Sequence, residues 1–197
     1  MGVGTRADLH TFILEPRSLT GLSDASDDTV LVSAARDGDR AAFGRLYDRY
    51  ARLVHAILLA RVPPGDVDDL VHDVFLLALN RIRALRDSAR FGAWLAAITR
   101  NRAHDYYRRI KVATELAEDL SEDEVETAVR SGPPDSEAEA ILAAIRDLPE
   151  AYRETLILRL VEGMTGPEIA QRTGLRPGSV RVNLHRGMQQ LREKLGK

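Results

Sequence analysis

Residues 165–195 read TGPEIAQRTGLRPGSVRVNLHRGMQQLREKL, the part of the chain whose local structure is easiest to predict. Thr165 and Glu168 have the spacing of a capping box, in which each side chain accepts a hydrogen bond from the other residue's backbone amide. A short helix is therefore predicted to begin here and to end at Gly174, and a second helix is predicted to begin at Pro177. Two helices joined by a brief glycine-containing turn form a helix-turn-helix.

The second of these helices has two chemically different faces. Apolar residues at helical spacing predict its buried face: Val180, Leu184, Met188, Leu191 and Leu195. The other face carries the residues that we expect to contact DNA: Ser179, Arg181, Val182, His185 and Arg186. Residues 165–197 contain 7 basic and 2 acidic residues, so this face is positive. A basic helix of this kind fits the major groove, where arginine can bind a guanine edge and the Ser179 amide a phosphate. Charge alone would equally suit a solvated face on an ordinary helical hairpin.

Composition excludes several classes of protein. The 197 residues include no cysteine, which rules out disulfides and thiolate metal sites and favours a cytoplasmic localisation. No apolar run approaches the roughly 18 residues of a membrane span, and no signal-peptide pattern is present, so we expect no membrane insertion. The five histidines lack metal-ligand spacing, and no glycine-rich loop could cradle phosphate. We therefore expect no metal site, no cofactor and no enzymatic activity.

The net charge of −2 hides a segregated pattern. Residues 30–110 carry 14 basic and 9 acidic side chains, residues 111–137 carry 2 and 9, and residues 138–197 carry 10 and 7. Two basic blocks thus flank an acidic strip, whose low hydrophobicity predicts a flexible linker. The fold class predicted is all-α, with two small helical domains on this linker. The boundaries are a flexible extension over 1–27, a domain over 28–110, the linker over 111–137 and a domain over 138–197.

Helical spacing of apolar residues continues through the N-terminal domain, and no stretch alternates with the period of a strand. Asp66 is predicted to cap its third helix, whose buried stripe includes Leu77 and Leu79. The fourth helix is predicted over 91–109 and contains ITRNRAHDYYRR at 98–109. Ala97 is expected to be buried there with the neighbouring Trp94, Leu95 and Ile98. Arginine, asparagine and aromatic side chains are left outside, a composition that suits single-stranded DNA, although a packed aromatic core fringed by solvated arginines would look similar.

Three segments in this order resemble the extracytoplasmic-function (ECF) sigma factors of the bacterial sigma-70 family. DVDDLVHDVFLLALNRI at 66–82 resembles region 2.2, FGAWLAAITRNRAHDYYRR at 91–109 resembles regions 2.3–2.4, and residues 148–195 resemble region 4 throughout. The resemblance implies a factor that binds core RNA polymerase and directs promoter-specific initiation by recognising the −35 element and melting the −10 element. It also implies restraint by an anti-sigma factor.

The resemblance assigns roles to individual residues. Contacts with core polymerase are expected from Asp69, His72 and Asp73, with His72 standing where the family usually has glutamine. The loop before Phe91 resembles the family's specificity loop, which captures a flipped base, and the following helix lines the path of the strand. The −10 residues expected from these two parts are Arg86, Asp87, Ser88, Arg90, Arg100, Asn101, His104 and Arg108. The −35 contacts are Ser179 and the four outward residues that follow it.

Two other interpretations were compared with this one. A stand-alone helix-turn-helix regulator would bind duplex operators unaided, but it would have no need of a surface for single strands. A pure interaction protein, held by a partner, would match the restrained state of such a factor. Binding of promoter DNA by the free chain, compared with binding in the presence of core polymerase, separates the first of these from a sigma factor.

Overall fold

A computed structural model describes residues 25–118 and 137–196, and every regular element in these two ranges is helical. The N-terminal group comprises α1 (Ala25–Arg36), α2 (Arg40–Leu59), α3 (Val67–Arg81) and α4 (Phe91–Glu118). The C-terminal group comprises α5 (Glu137–Arg146), α6 (Glu150–Leu160), α7 (Gly166–Thr173) and α8 (Pro177–Lys194). Single 3₁₀ turns precede α3 and α4 and follow α3. The predicted all-α class and the two helical groups are confirmed.

The N-terminal group packs around the apolar face of α2. Asp39 caps this helix by accepting hydrogen bonds from the amides of Ala41 and Ala42 at 2.8 and 3.0 Å. Helix α2 contacts α1, α3 and α4, and its inward side chains Leu46, Leu53 and Ile57 are at most 1% exposed. These contacts hold the outer surfaces of α3 and α4 at fixed positions, which is where the predicted functional residues lie.

Three predicted details of this group are wrong. The Asp66 side chain makes no hydrogen bond that caps α3, because its carboxylate instead accepts one from the Tyr106 hydroxyl at 2.8 Å. Leu79 is 41% exposed rather than buried, since Ala78 takes the inward position at that turn of α3. Ala97 is also exposed, and Ala96 is buried in its place.

The C-terminal group contains the helix-turn-helix that the sequence predicts. The capping box is present in full: the Glu168 carboxylate accepts from the Thr165 amide at 2.7 Å, and the Thr165 hydroxyl accepts from the Glu168 amide at 3.4 Å. Gly174 ends α7 with a φ of 72°, a left-handed conformation that glycine adopts without strain. Val180 and Leu191 of α8 are buried against α6 and α7, whereas Leu195 is exposed, contrary to prediction.

The two groups pack against each other and share one apolar core. Their backbones approach closely at two glycines, since a Cβ atom on Gly92 would lie 3.1 Å from the carbonyl oxygen of Arg172, and one on Gly174 would lie 2.9 Å from the Cβ of Ala93. Helix α4 therefore contacts α7 directly. In this structure the two predicted domains form a single packed body.

The predicted linker over 111–137 is only partly within the described residues. Helix α4 continues to Glu118, so the first part of that segment extends a helix of the N-terminal group. Residues 119–136, and most of the predicted extension over 1–27, lie outside the described ranges. None of the described helices is long and apolar enough to cross a membrane.

Candidate nucleic-acid and polymerase interfaces

Helix α8 presents the predicted −35 residues on its outer face. All five are exposed, namely Ser179, Arg181, Val182, His185 and Arg186. The hydrogen bonds of the capping box fix the start of α7, and its carboxyl Glu168 has a pKa below the ordinary value because it accepts from the Thr165 amide and hydroxyl. The helix is thus a supported element with a basic outer face, the geometry that enters a major groove.

The predicted specificity loop is tied down by contacts from α1. The Arg36 guanidinium donates to the Leu85 carbonyl and, at 3.4 Å, to the Ser88 hydroxyl. The Asp87 carboxylate accepts from the Ala89 amide at 3.1 Å and so shapes the turn. Arg86, Asp87 and Arg90 are exposed, while Ser88 is half-buried. A loop held in this way can present its side chains to a base without being ordered first.

The outer face of α4 continues from this loop. Asn101, His104 and Arg108 are exposed, as predicted, and Arg108 pairs with Asp105 at 2.9 Å. Tyr107 is 51% exposed and donates its hydroxyl to the Arg61 carbonyl at 2.7 Å, which holds the ring at the surface. The structure therefore brings three predicted strand-binding residues and an aromatic ring together on one helix face.

Arg100 differs from its predicted neighbours. Its guanidinium donates two hydrogen bonds to the carboxylate of Glu154, at 3.0 and 2.7 Å, and a third to the Thr173 carbonyl at 3.1 Å. Both acceptors belong to the C-terminal group, and the Arg100 side chain is 26% exposed. Arg100 was predicted to line the strand path, but in this structure it is half-buried between the two groups.

Buried carboxylates of the C-terminal group face arginines of the N-terminal group. Burial alone would raise the pKa of the Glu154 carboxyl, but hydrogen bonds from Arg100 and the charges of Arg61 and Arg100 outweigh it and hold that pKa below its ordinary value. Glu162 pairs with Arg52 at 2.7 Å, and burial raises the pKa of its carboxyl despite this partner. Complementary charge as well as apolar packing therefore joins the two groups.

The predicted polymerase contacts lie along α3. Asp69 and His72 are exposed, and Asp73 is half-buried and pairs with Arg102 of α4. Leu76, which sequence reasoning missed, is 47% exposed and lies one helical turn beyond His72. The spacing of four residues was the available signal, because it places both on one face. This α3 face combines acidic and apolar groups, which suits a protein partner.

Comparison with known proteins assigns the two groups to one family. Residues 46–112 match the family described as Sigma-70 region 2, and residues 138–191 match the one described as Sigma-70, region 4. The chain is 33% identical over 165 residues to RNA polymerase sigma factor CarQ of Myxococcus xanthus, covering 82% of this chain and 93% of CarQ. It is 34% identical over 178 residues to ECF RNA polymerase sigma factor BldN of Streptomyces coelicolor, covering 86% of this chain and 66% of BldN.

Solved structures agree with the sequence matches. The chain resembles CnrH, solved in complex with the cytosolic domain of CnrY, with a TM-score of 0.60 and 29% identity over 88% of this chain and 98% of CnrH. The sigma factor RpoE of Bartonella quintana, solved with the anti-sigma factor NepR, has the same fold at a TM-score of 0.55 and 19% identity, over 78% of this chain and 96% of RpoE. On these matches and the two regions present in order, the chain belongs to the ECF sigma factors of the sigma-70 family.

Proposed function

We propose that this sigma factor meets its partners through three surfaces: the α3 face for core polymerase, the specificity loop with the outer face of α4 for the −10 element, and α8 for the −35 element. The observation that carries this proposal is the exposure of all five predicted −35 residues on a helix whose position is fixed by a complete capping box. Such a helix supplies base contacts, and the loop and α4 supply those to an unpaired strand.

Promoter melting requires no covalent chemistry from these surfaces. Unpairing and unstacking a base costs a few kcal/mol, which favourable contacts to the extruded base offset. The fixed loop around Asp87 and Ser88 is suited to hold such a base, and Asn101 and Arg108 to hold the adjoining strand. The proposed order of events is −35 contact by α8, followed by capture of the −10 strand.

We also propose that an anti-sigma factor restrains this chain, and that the chain acts in the cytoplasm, where RNA polymerase and the chromosome lie. The structural relative CnrH was solved with the cytosolic domain of CnrY, which supports a partner of this kind. The α3 face and the basic outer face of α8 are the surfaces whose coverage would prevent initiation.

Charge reversal on α3 tests the polymerase surface with a matched control. Asp69→Arg places a positive group on the α3 face and is expected to abolish co-elution with core polymerase. Asp68→Arg makes the same change one residue away, where the Asp68 side chain is 87% exposed and only 4.0 Å from His55, and is expected to leave co-elution intact. Equal losses in both variants, or retention in both, would contradict the proposed surface.

A further inference from the structure

Two arginines of the N-terminal group meet at one carboxylate of the C-terminal group. Arg61, directly after α2, lies 2.7 Å from one Glu154 carboxylate oxygen through its Nη2 atom. Arg100, on α4, binds the same carboxylate through two donors. Glu154 is on α6, and its side chain is only 4% exposed. One buried carboxylate thus bridges two guanidinium groups that belong to a different part of the chain.

The negative partners of these arginines all come from the C-terminal group. Within the described part of the chain, the carboxylates that pair with Arg61 and Arg100 are those of Glu154 and, at 3.4 Å from Arg61, Glu150. When the C-terminal group moves away, two guanidinium groups are left close together without these anions. Adjacent like charges in a partly buried site repel, so another anion would bind there favourably.

The surroundings of the pair indicate which anion that is. Arg61 and Arg100 line a cleft of about 200 Å³ together with His104 and Tyr107. His104 follows Arg100 by one helical turn and is one of the proposed −10 residues, so the cleft adjoins the proposed path of the strand. A phosphodiester offers two oxygens that share one negative charge, as a carboxylate does, and arginine binds both groups through the same forked donors.

We propose that Arg61 and Arg100 form a phosphate-binding pair for the −10 strand, and that Glu154 occupies the position of that phosphate while the two groups are packed together. The proposal rests on the proposed −10 surface and adds Arg61 to it. Carboxylate and phosphate cannot occupy the position together, so the strand binds only after the C-terminal group releases the pair. The free chain is therefore a poor ligand for single strands, and separation of the groups uncovers the site.

The test measures binding of a labelled single-stranded DNA oligonucleotide of mixed sequence to the free full-length chain across a salt series. Glu154→Gln removes the competing charge and is expected to tighten binding roughly tenfold, in line with a tenfold larger fraction of uncovered sites. Arg61→Ala in the Glu154→Gln chain is expected to undo this gain. It should also reduce the slope of log K against log salt by about 0.7, the value for one phosphate contact on a single strand.

Glu162→Gln is the matched control, because it neutralises the other buried carboxylate between the groups without touching either arginine of the pair. It is expected to leave the salt slope unchanged and to tighten binding far less. Equal gains from both glutamine variants, or an Arg61→Ala variant that binds as tightly as its parent, would overturn the assignment of the phosphate site. Circular dichroism of each variant checks that it is folded.

A second measurement keeps this proposal separate from the proposed function. With core polymerase present, Arg61→Ala is expected to weaken promoter binding by a similar factor on promoters of different sequence, since a phosphate contact carries no sequence information. An unchanged affinity would overturn the role of Arg61. Promoter-dependent transcription by the unaltered chain tests the proposed function independently, because it does not depend on which residue holds this phosphate.

Discussion

Replacing Gly92 by alanine tests whether the packing of the two helical groups is as close as described. A Cβ atom at this position would lie 2.9 Å from Cε1 and 3.3 Å from the hydroxyl of Tyr50, and 3.1 Å from the carbonyl oxygen of Arg172. The Tyr50 ring is 4% exposed and its hydroxyl donates to Asp28, so it cannot turn aside freely. The carbonyl belongs to the backbone of α7, and it can move only if the C-terminal group moves.

The expected change in stability follows from two opposing effects. Forcing an extra methyl group into a packed site costs about 1–3 kcal/mol. Alanine is favoured over glycine in a helix by at most ~1 kcal/mol, and less in the first turn, where Gly92 lies. The net expectation is a loss of about 1–2 kcal/mol, which lowers the Tm of a chain of this size by roughly 2–8 °C.

Gly44→Ala provides the control, because Gly44 lies within α2 and no atom would contact its added Cβ within 4 Å. This variant is expected to gain roughly 0.5–1 kcal/mol from helix propensity alone. Urea unfolding followed by circular dichroism measures both changes. The two variants should therefore shift the unfolding midpoint in opposite directions. A Gly92→Ala chain that is stabilised as much as Gly44→Ala would refute the close approach of α4 and α7.

Three further predictions concern individual side chains. Thr165→Ala removes the cap of α7 and is expected to cost about 1 kcal/mol in urea unfolding; no change would mean that the capping box is not formed in solution. Alanine at Arg181 or Arg186 is expected to cost roughly 1–3 kcal/mol of promoter binding at one base of the −35 element and to relax selectivity there, whereas Arg192→Ala should cause only a small loss that added salt masks. Equal, sequence-independent losses at all three would place α8 on phosphates. The pKa of Glu154 lies below its ordinary value of 4.5, so its ionised form stabilises the fold above pH 4.5 and this contribution disappears as pH falls through the lower folded value. The difference in unfolding free energy between the unaltered chain and Glu154→Gln should shrink over that range, and a constant difference would contradict the assigned shift.

Local patterns in the sequence predicted the helices and the helix-turn-helix correctly. The Thr165 and Glu168 spacing and the glycine at 174 act within a few residues, so they can be recognised without tertiary structure. The family matches confirm the predicted promoter-directing function and the absence of enzymatic activity, and they disfavour the stand-alone regulator. The −10, −35 and polymerase residues remain predictions that the variants above test.

Contacts between the two groups could not be predicted from the sequence. Arg100 and Glu154 are 54 residues apart, and their pairing depends on how two separately patterned groups pack together. Asp66 illustrates the same point at shorter range, because its position favoured a helix cap but tertiary packing supplied the Tyr106 hydroxyl. Long-range partners of polar side chains are determined by packing rather than by local spacing.

In vitro transcription from fragmented genomic DNA tests the central claim most directly. Core RNA polymerase is incubated with the DNA with and without this chain, and the 5′ ends of the transcripts are sequenced. The account predicts a set of start sites that appears only with the chain present, preceded by common −35 and −10 sequences. Start sites that are identical in both reactions would contradict it.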